Sequence, residues 1–162
     1  MGKMLCYAGI IEDKEVAWIP SYGPEMRGGT ANCITIISDK LISSPIIAKY
    51  DTVVALNQPS VDKFESMIKP GGNIIYDSSL IVNAPTRTDI NIYPIAASEE
   101  AVNMKNTKIL NMIVLGAFVA ARQTVKPESV FKALEKALPA RNHKLIPLNI
   151  EAFNKGMSLI KK

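Results

Sequence analysis

One segment of the sequence, residues 21–32 (SYGPEMRGGTAN), combines residue types that could bind a charged group. It holds a carboxylate at Glu25 and a guanidinium at Arg27, and a guanidinium can bind a carboxylate or phosphate through two parallel hydrogen bonds. The neighbouring Gly28 and Gly29 permit positive φ angles and close backbone approach. Two interpretations stay open on these residues alone: the charged pair fixes its own loop, or the loop is recognised by a ligand or partner.

Two other places could supply an acid or a base. Asp77, Ser78 and Ser79 follow an apolar stretch, NIIY, at the position where open α/β sheets place ligand-binding loops. The same residue types are common in turns, and we favour a turn. His143, the only histidine, lies among polar residues without a motif that supplies a catalytic partner. A self-contained enzyme would need these groups in matched geometry, and no spacing joins them.

Metal and phosphate sites of the common kinds are not indicated. The two cysteines, Cys6 and Cys33, form no CxxC pair, and with one histidine they cannot supply four ligands to zinc or an iron–sulfur cluster. We expect both to be small buried side chains in a reducing compartment. The sequence has no GxGxxG turn of the kind that binds a dinucleotide.

Charge and hydropathy argue against two further classes of function. Nineteen basic and fifteen acidic residues give a formal charge of +4, but the lysines are dispersed and aromatic residues make up 6%, so nucleic-acid binding is not favoured. The most apolar run, residues 109–121, is too short to span a bilayer and predicts a buried helix. The first residues do not form a signal peptide, so a cytoplasmic location without membrane attachment is expected.

The pattern of elements predicts an α/β protein. Alternating strands and helices, followed by a mostly helical tail, predict a three-layer α/β/α sandwich around a mostly parallel sheet. Residues 32–38 and 51–57 are predicted to be buried strands, Ser60 to cap the following helix, and residues 70–72 (PGG) to end it before the NIIY strand. The predicted strands are 16–20, 32–38, 51–57, 73–76 and 90–94, and the predicted helices are 2–12, 61–69, 98–104, 107–123, 127–138 and 149–161.

Four segments together resemble one family. The four segments are WIPSYGPEMRGGTANCITIISD, NQPSVDKF, PGGNIIYDSSL and NMIVLGA. They are similar to the gamma subunit of 2-oxoacid:ferredoxin oxidoreductases, which also occurs as a fused domain, domain III, in the single-chain pyruvate:ferredoxin oxidoreductases. SYGPEMRGGTAN is the specific part, and NMIVLGA and Asn149-x-x-Ala152 support it. The resemblance covers nearly the whole chain. It implies a non-catalytic subunit of a complex that oxidatively decarboxylates a 2-oxoacid to acyl-CoA and reduces ferredoxin. The segment 21–32 resembles the 2-oxoglutarate and branched-chain 2-oxoacid versions more than the pyruvate version, with 2-oxoglutarate favoured.

The same resemblance implies partners and cofactors that this chain does not itself hold. The partners are alpha and beta subunits, with a delta subunit in some assemblies. The resemblance is also compatible with a homodimer of this chain. The complex uses thiamine diphosphate, Mg²⁺, [4Fe-4S] clusters and coenzyme A, whereas this chain is expected to bind no cofactor, to be inactive alone, and to contribute assembly and active-site shaping. The residues implied to face the thiamine-bearing subunits are Tyr22, Gly23, Pro24, Glu25, Arg27, Gly28, Gly29 and Asn32.

One departure from the family pattern bears on domain organisation. Members usually begin with a strand and a glycine-rich GxGGQG turn, whereas this chain starts at MGKMLCYAG. We therefore expect a single gamma domain over residues 1–162 that lacks the first strand and turn. The alternative function is a stand-alone anion- or nucleotide-binding α/β module, in which Arg27 and the two glycines after it hold a small ligand.

Overall fold

The computed structural model describes residues 1–22 and 31–160. Its contacts divide the chain into two compact units, Met1–Ile46 with Thr124–Ile146, and Ile47–Gln123 with the segment from Pro147 onward. The helices are α1 (Gly2–Ile11), α2 (Gln58–Phe64), α3 (Ala97–Asn103), α4 (Leu110–Arg122), α5 (Pro127–Ala137) and α6 (Ile146–Ser158). The strands are β1 (Glu15–Tyr22), β2 (Ala31–Ser38), β3 (Tyr50–Ala55), β4 (Ile68–Asp77) and β5 (Asn91–Ile95).

The first unit contains an antiparallel hairpin. β1 pairs with β2 from Glu15 opposite Ser38 to Tyr22 opposite Ala31. The strand predicted over residues 32–38 is present, but the prediction that it is buried is wrong, because every residue of β2 keeps some exposure to solvent. Its β-branched composition indicates an extended backbone, and cannot reveal that the neighbouring strand is antiparallel or that, in the described residues, the sheet has two strands.

The second unit contains a parallel sheet of order β3-β4-β5. β3, α2 and β4 form a βαβ unit, with Thr52 opposite Asn73 and Ala55 opposite Tyr76. β4 pairs in parallel with β5 up to Asp77 opposite Ile95. The predicted α/β fold class is thereby confirmed: a parallel three-stranded sheet flanked by helices. Side chains from the sheet, from α2 and from the loop after β4 form its core, namely Val53, Ala55, Val61, Ile68, Ile74, Tyr76, Ile81 and Ile90.

Helix α2 begins earlier than the sequence pattern predicts. Asn57, not Ser60, is its N-cap residue, and the prediction of Ser60 is wrong. The Asn57 side-chain oxygen accepts hydrogen bonds from the backbone N–H of Ser60 at 3.0 Å and from its hydroxyl at 2.7 Å. Pro59 in the first turn lacks the N–H that a helix start leaves unpaired. Both residue types are good caps, so composition alone does not choose between them.

The PGG motif was predicted to end α2, and this is wrong. The helix already ends at Phe64, followed by a 3-10 turn at Glu65–Met67. The motif lies inside β4, where the register with β3 shifts between its first pair and Thr52 opposite Asn73. Gly71 adopts a φ of 74°, a left-handed conformation that suits glycine. The glycines therefore form an irregularity in the strand, which a sequence pattern does not distinguish from a helix stop.

Helices α4 and α6 cross at two glycines in the second unit. α4 is buried as predicted, since the side chains from Met112 through Ala117 are buried. A Cβ atom on Gly116 would overlap the carbonyl oxygen of Phe153, and one on Gly156 would overlap that of Ile113. The two backbones thus touch directly.

Of the helices in the described ranges, none has the length and apolar composition needed to cross a membrane.

Candidate functional site

The loop that the sequence singles out joins the two strands of the hairpin. β1 ends at Tyr22 and β2 begins at Ala31, so residues 23–30 connect the paired strand ends. Two of the predicted site residues, Tyr22 and Asn32, are described by the structure. The others lie outside the described residues, and these are Gly23, Pro24, Glu25, Arg27, Gly28 and Gly29.

The two described site residues mark the base of this loop. Tyr22 pairs with Ala31, and Asn32 pairs with Ser21 on the opposite strand. The Tyr22 side chain is 72% exposed, which is a large value for an aromatic residue. An exposed tyrosine offers a broad apolar ring and a hydroxyl donor, the combination that is enriched at protein interfaces. The hairpin therefore presents an exposed tyrosine at the last residue of β1.

Helix α1 holds the hairpin in place through closely packed glycines. A Cβ atom on Gly2 would lie 2.7 Å from the Thr35 hydroxyl and 2.8 Å from the Cys33 sulfur. One on Gly9 would lie 2.8 Å from a methyl group of Val16. Real Cβ atoms do not approach other atoms so closely, so α1 lies nearer to the hairpin than a side chain would allow. This packing places α1 directly against β1 and β2.

The two cysteines of this unit differ in environment. Cys6 on α1 is buried as predicted, with its sulfur 3.7 Å from the backbone oxygen of Ala17. Burial raises the pKa of the Cys6 thiol to about 11. Cys33 on β2 is exposed, so the prediction that both are buried is wrong. Only the thiolate reacts with alkylating agents, so the two thiols should differ in reactivity.

We expect iodoacetamide to modify Cys33 much faster than Cys6 in the native protein at pH 8. The raised pKa of Cys6 leaves at least about tenfold less thiolate than an ordinary thiol has. Timed alkylation followed by peptide mass spectrometry measures both rates. A Cys33→Ser variant should take up almost no label until urea unfolds it. Equal labelling of the two residues in the folded protein would contradict this assignment.

The Asp77-Ser78-Ser79 motif forms a turn, as favoured from the sequence. Asp77 ends β4 and its side chain is fully buried. One carboxylate oxygen accepts the backbone N–H of Ser79 at 3.0 Å. The other accepts the backbone N–H of Ser98 at 3.2 Å and the Ser98 hydroxyl at 2.5 Å. Three hydrogen-bond donors contact this carboxylate, so its role is structural. It connects β4 to the start of α3.

His143 lies in a 3-10 turn, Ala140–Leu145. Its side chain is exposed, and Nε2 lies 3.0 Å from the backbone oxygen of Leu138. His143 belongs to the first unit and Asp77 to the second. Within the ranges that the structure describes, no group of three or more His, Cys, Asp or Glu side chains is placed to hold a metal ion.

A charged cluster around Arg87 was not predicted. Arg87 donates to the backbone oxygens of Glu65 at 2.9 Å and Ile68 at 2.7 Å. It also binds Asp89 through two hydrogen bonds of 2.8 and 2.6 Å, which lowers the pKa of the Asp89 carboxyl. The Glu65 carboxylate accepts the backbone N–H groups of Thr86 and Arg87. The cluster fixes the loop that leads from β4 to β5, and the separation of its members in sequence hides it from pattern analysis.

Comparison with known proteins decides the family. The sequence matches the family described as pyruvate ferredoxin/flavodoxin oxidoreductase over residues 1–159. The chain belongs to this family. This match confirms the resemblance to the gamma subunits of 2-oxoacid:ferredoxin oxidoreductases, which residues 21–32 and the NMIVLGA segment indicate.

Individual members of the pyruvate ferredoxin/flavodoxin oxidoreductase family are similar along most of this chain. The ketoisovalerate oxidoreductase subunit VorA of Methanothermobacter thermautotrophicus is 33% identical over 156 residues, which are 96% of this chain and 32% of VorA. The 2-oxoglutarate synthase subunit KorC of Methanocaldococcus jannaschii is 33% identical over 160 residues, covering 96% of this chain and 82% of KorC. The chain thus spans about a third of VorA and most of KorC.

A solved structure agrees with the fold of this family member. The gamma subunit of a keto/oxoacid ferredoxin oxidoreductase from Geobacter sulfurreducens superposes with a TM-score of 0.82. It is 28% identical, and the superposition covers 98% of this chain and 88% of that subunit. The likeness therefore extends over both units described above.

Proposed function

We propose that this chain is the gamma component of a 2-oxoacid:ferredoxin oxidoreductase, as a separate subunit or as part of a longer protein. The carrying observation is the match along almost the whole chain to KorC, of which it covers 82%. The complex would oxidatively decarboxylate a 2-oxoacid, transfer the acyl group to coenzyme A and pass the electrons to ferredoxin. Within it, this chain contributes assembly and active-site shaping in the cytoplasm.

The substrate we propose is 2-oxoglutarate, with a branched-chain 2-oxoacid as the second choice. KorC is named for 2-oxoglutarate and VorA for ketoisovalerate, and each is 33% identical to this chain. The form of residues 21–32 resembles the 2-oxoglutarate and branched-chain 2-oxoacid versions more than the pyruvate version. Turnover measured separately with 2-oxoglutarate, ketoisovalerate and pyruvate ranks the three substrates, and a preference for pyruvate would overturn this choice.

The cofactors of the reaction belong to the other subunits in this proposal. A [4Fe-4S] cluster takes four cysteine thiolates, and this chain has two cysteines, so its residues do not fit one. Its sequence also lacks a motif for the diphosphate of thiamine diphosphate and the Mg²⁺ bound to it. We therefore assign thiamine diphosphate, Mg²⁺ and the clusters to alpha, beta and, where present, delta subunits, with coenzyme A acting at the assembled site.

The hairpin loop is the part of this chain that we propose to face the thiamine-bearing subunits. The strand pairing of Tyr22 with Ala31 holds together the two strand ends that flank residues 23–30, and the Tyr22 ring is exposed there. Arg27 supplies a guanidinium that can bind a carboxylate on the partner with two parallel hydrogen bonds. A loop anchored in this way would pack against the catalytic subunits and help to enclose their active site.

Arg27→Ala is expected to lower kcat/KM of the reconstituted complex at least about tenfold, because a bidentate charge-assisted contact is lost. Arg27→Lys keeps the charge without the planar pair of donors and should recover only part of the activity. Lys132→Ala is the matched control, since it removes an exposed positive charge on α5. Normal assembly and turnover by Arg27→Ala would remove the proposed role.

The function itself is tested by isolating this chain from its host under native conditions. Bound subunits are identified by mass spectrometry, and reduction of ferredoxin is followed spectroscopically with each 2-oxoacid and coenzyme A. We expect thiamine- and iron–sulfur-bearing subunits and 2-oxoacid-dependent reduction. If the chain is isolated alone and binds inorganic phosphate through Arg27, the stand-alone anion-binding module is the better explanation.

A further inference from the structure

Three apolar side chains are exposed at one edge of the parallel sheet. The carboxyl ends of parallel strands lie at the same edge. Leu56 follows β3 directly, and Leu80 and Val82 lie in the loop after β4. Their exposed fractions are 39%, 58% and 92% respectively. We call these three residues the carboxyl-edge patch. Clustered apolar exposure in a soluble protein commonly marks a binding surface.

The loop after β4 holds two of these side chains outward. The backbone oxygen of Asp77 accepts hydrogen bonds from the N–H groups of Leu80 at 3.2 Å and Ile81 at 3.0 Å. Ile81 is buried and belongs to the core of the sheet. With Ile81 anchored inward, its neighbours Leu80 and Val82 are left facing solvent. Their exposure therefore follows from an ordered turn.

A side-chain clamp joins this loop to the start of α2. The Gln58 amide nitrogen donates to the backbone oxygen of Asn83 at 3.1 Å, and its oxygen accepts the backbone N–H of Asn83 at 2.9 Å. Gln58 is two residues from Leu56, and Asn83 is next to Val82. The clamp thus brings the ends of the carboxyl-edge patch together before any partner binds.

Two acidic residues are hydrogen-bonded to residues that adjoin the patch. Asp62 accepts a hydrogen bond of 2.9 Å from Gln58, the clamp residue. The backbone N–H of Glu99 donates to the hydroxyl of Ser79, the residue before Leu80, at 3.3 Å. Both acidic residues are exposed. An apolar centre with acidic flanks is complementary to a protein surface whose apolar side chains are flanked by lysine or arginine.

We propose that the carboxyl-edge patch docks the remaining part of the oxidoreductase through such an apolar, basic-rimmed surface. This inference rests on the proposed function. In VorA the region matched by this chain is about a third of the protein, so there the same domain is joined to twice as much additional polypeptide. Contact with that remainder would cover the exposed side chains, and their burial would stabilise the assembly.

The test compares the full chain with a Leu80→Asp/Val82→Asp variant. Each is titrated into the other oxidoreductase subunits, purified from a host strain lacking this chain, and Kd is measured by biolayer interferometry. We expect Kd to rise at least about tenfold, because two charges replace apolar contacts. Val102→Asp, which changes an apolar residue on α3 that is 62% exposed, should bind like the wild type. Glu99→Lys should slow association, most strongly at low salt.

The outcomes separate this inference from the proposed function. If the wild-type chain does not bind the subunits, both fail. If the wild type binds and Leu80→Asp/Val82→Asp binds equally well, the docking surface is wrong and the proposed function stands. Sedimentation velocity of the chain alone tests whether a second copy of this chain occupies the patch instead. A wild-type dimer that the double substitution dissociates would assign the patch to a second copy and overturn the proposal. Circular dichroism checks that each variant is folded.

Discussion

Gly156→Ala is expected to destabilise the protein by about 3 kcal/mol or more, and Gly116→Ala by a similar amount. A Cβ atom on Gly156 would overlap the Ile113 carbonyl oxygen, and one on Gly116 would overlap the Phe153 carbonyl oxygen. These obstacles are helix backbone, which cannot rotate away as a side chain can. To admit the methyl group, α4 and α6 must separate, and the tightly packed contacts around the crossing are then lost.

The sign of this effect is diagnostic, since alanine is a better helix former than glycine by about 1 kcal/mol. A loss of stability must therefore come from packing between the helices. Urea denaturation of the full chain measures the free energy of unfolding, and Asn111→Ala on an exposed position of α4 is the control with little expected change. The double variant should cost less than the two single effects added, because the helices separate once. Unchanged or increased stability would show that the helices do not touch there.

The sequence pattern predicted α4 well and said little about its partner. A long apolar run identifies a buried helix without indicating which element approaches it. Gly116 lies inside that run, and the structure places it at the contact with α6. The NMIVLGA motif and the Asn149-x-x-Ala152 motif are part of the same pair of helices, so their joint occurrence has a physical cause. Neither motif alone defines the crossing.

The residues of the candidate site could be selected from the sequence, whereas the hairpin that holds the ends of the segment could not be predicted. Residues 21–32 are unusual enough to select, and the structure adds that their ends are fixed by hairpin pairing at Tyr22 and Ala31. The carboxyl-edge patch was not anticipated. Leu80 and Val82 look like core residues in sequence, and the turn at Asp77 that directs them outward depends on hydrogen bonds to residues distant along the chain. Hydrophobicity predicts burial only on average.

Asp77→Ala is expected to cost about 3 kcal/mol of folding stability, because it leaves buried donors without an acceptor. The fully buried carboxylate accepts three hydrogen bonds, one from Ser79 and two from Ser98. These bonds hold both the turn after β4 and the start of α3. The free energy of unfolding from urea denaturation measures the loss. Binding to the other subunits should weaken as well, because the same turn positions Leu80.

Two further variants separate the effect of the hydrogen bonds that the Asp77 carboxylate accepts from the effect of its side-chain volume. Asp77→Asn keeps the volume but replaces one acceptor oxygen with an amide donor, so it should lose an intermediate amount of stability by facing the N–H of Ser79 or Ser98 with another donor. Ser98→Ala removes the hydroxyl donor alone and should cost about 1 kcal/mol, the net value of a single hydrogen bond. If Asp77→Ala is as stable as the wild type, the buried donors have found water or the turn has rearranged, and the orientation assigned to Leu80 and Val82 loses its support.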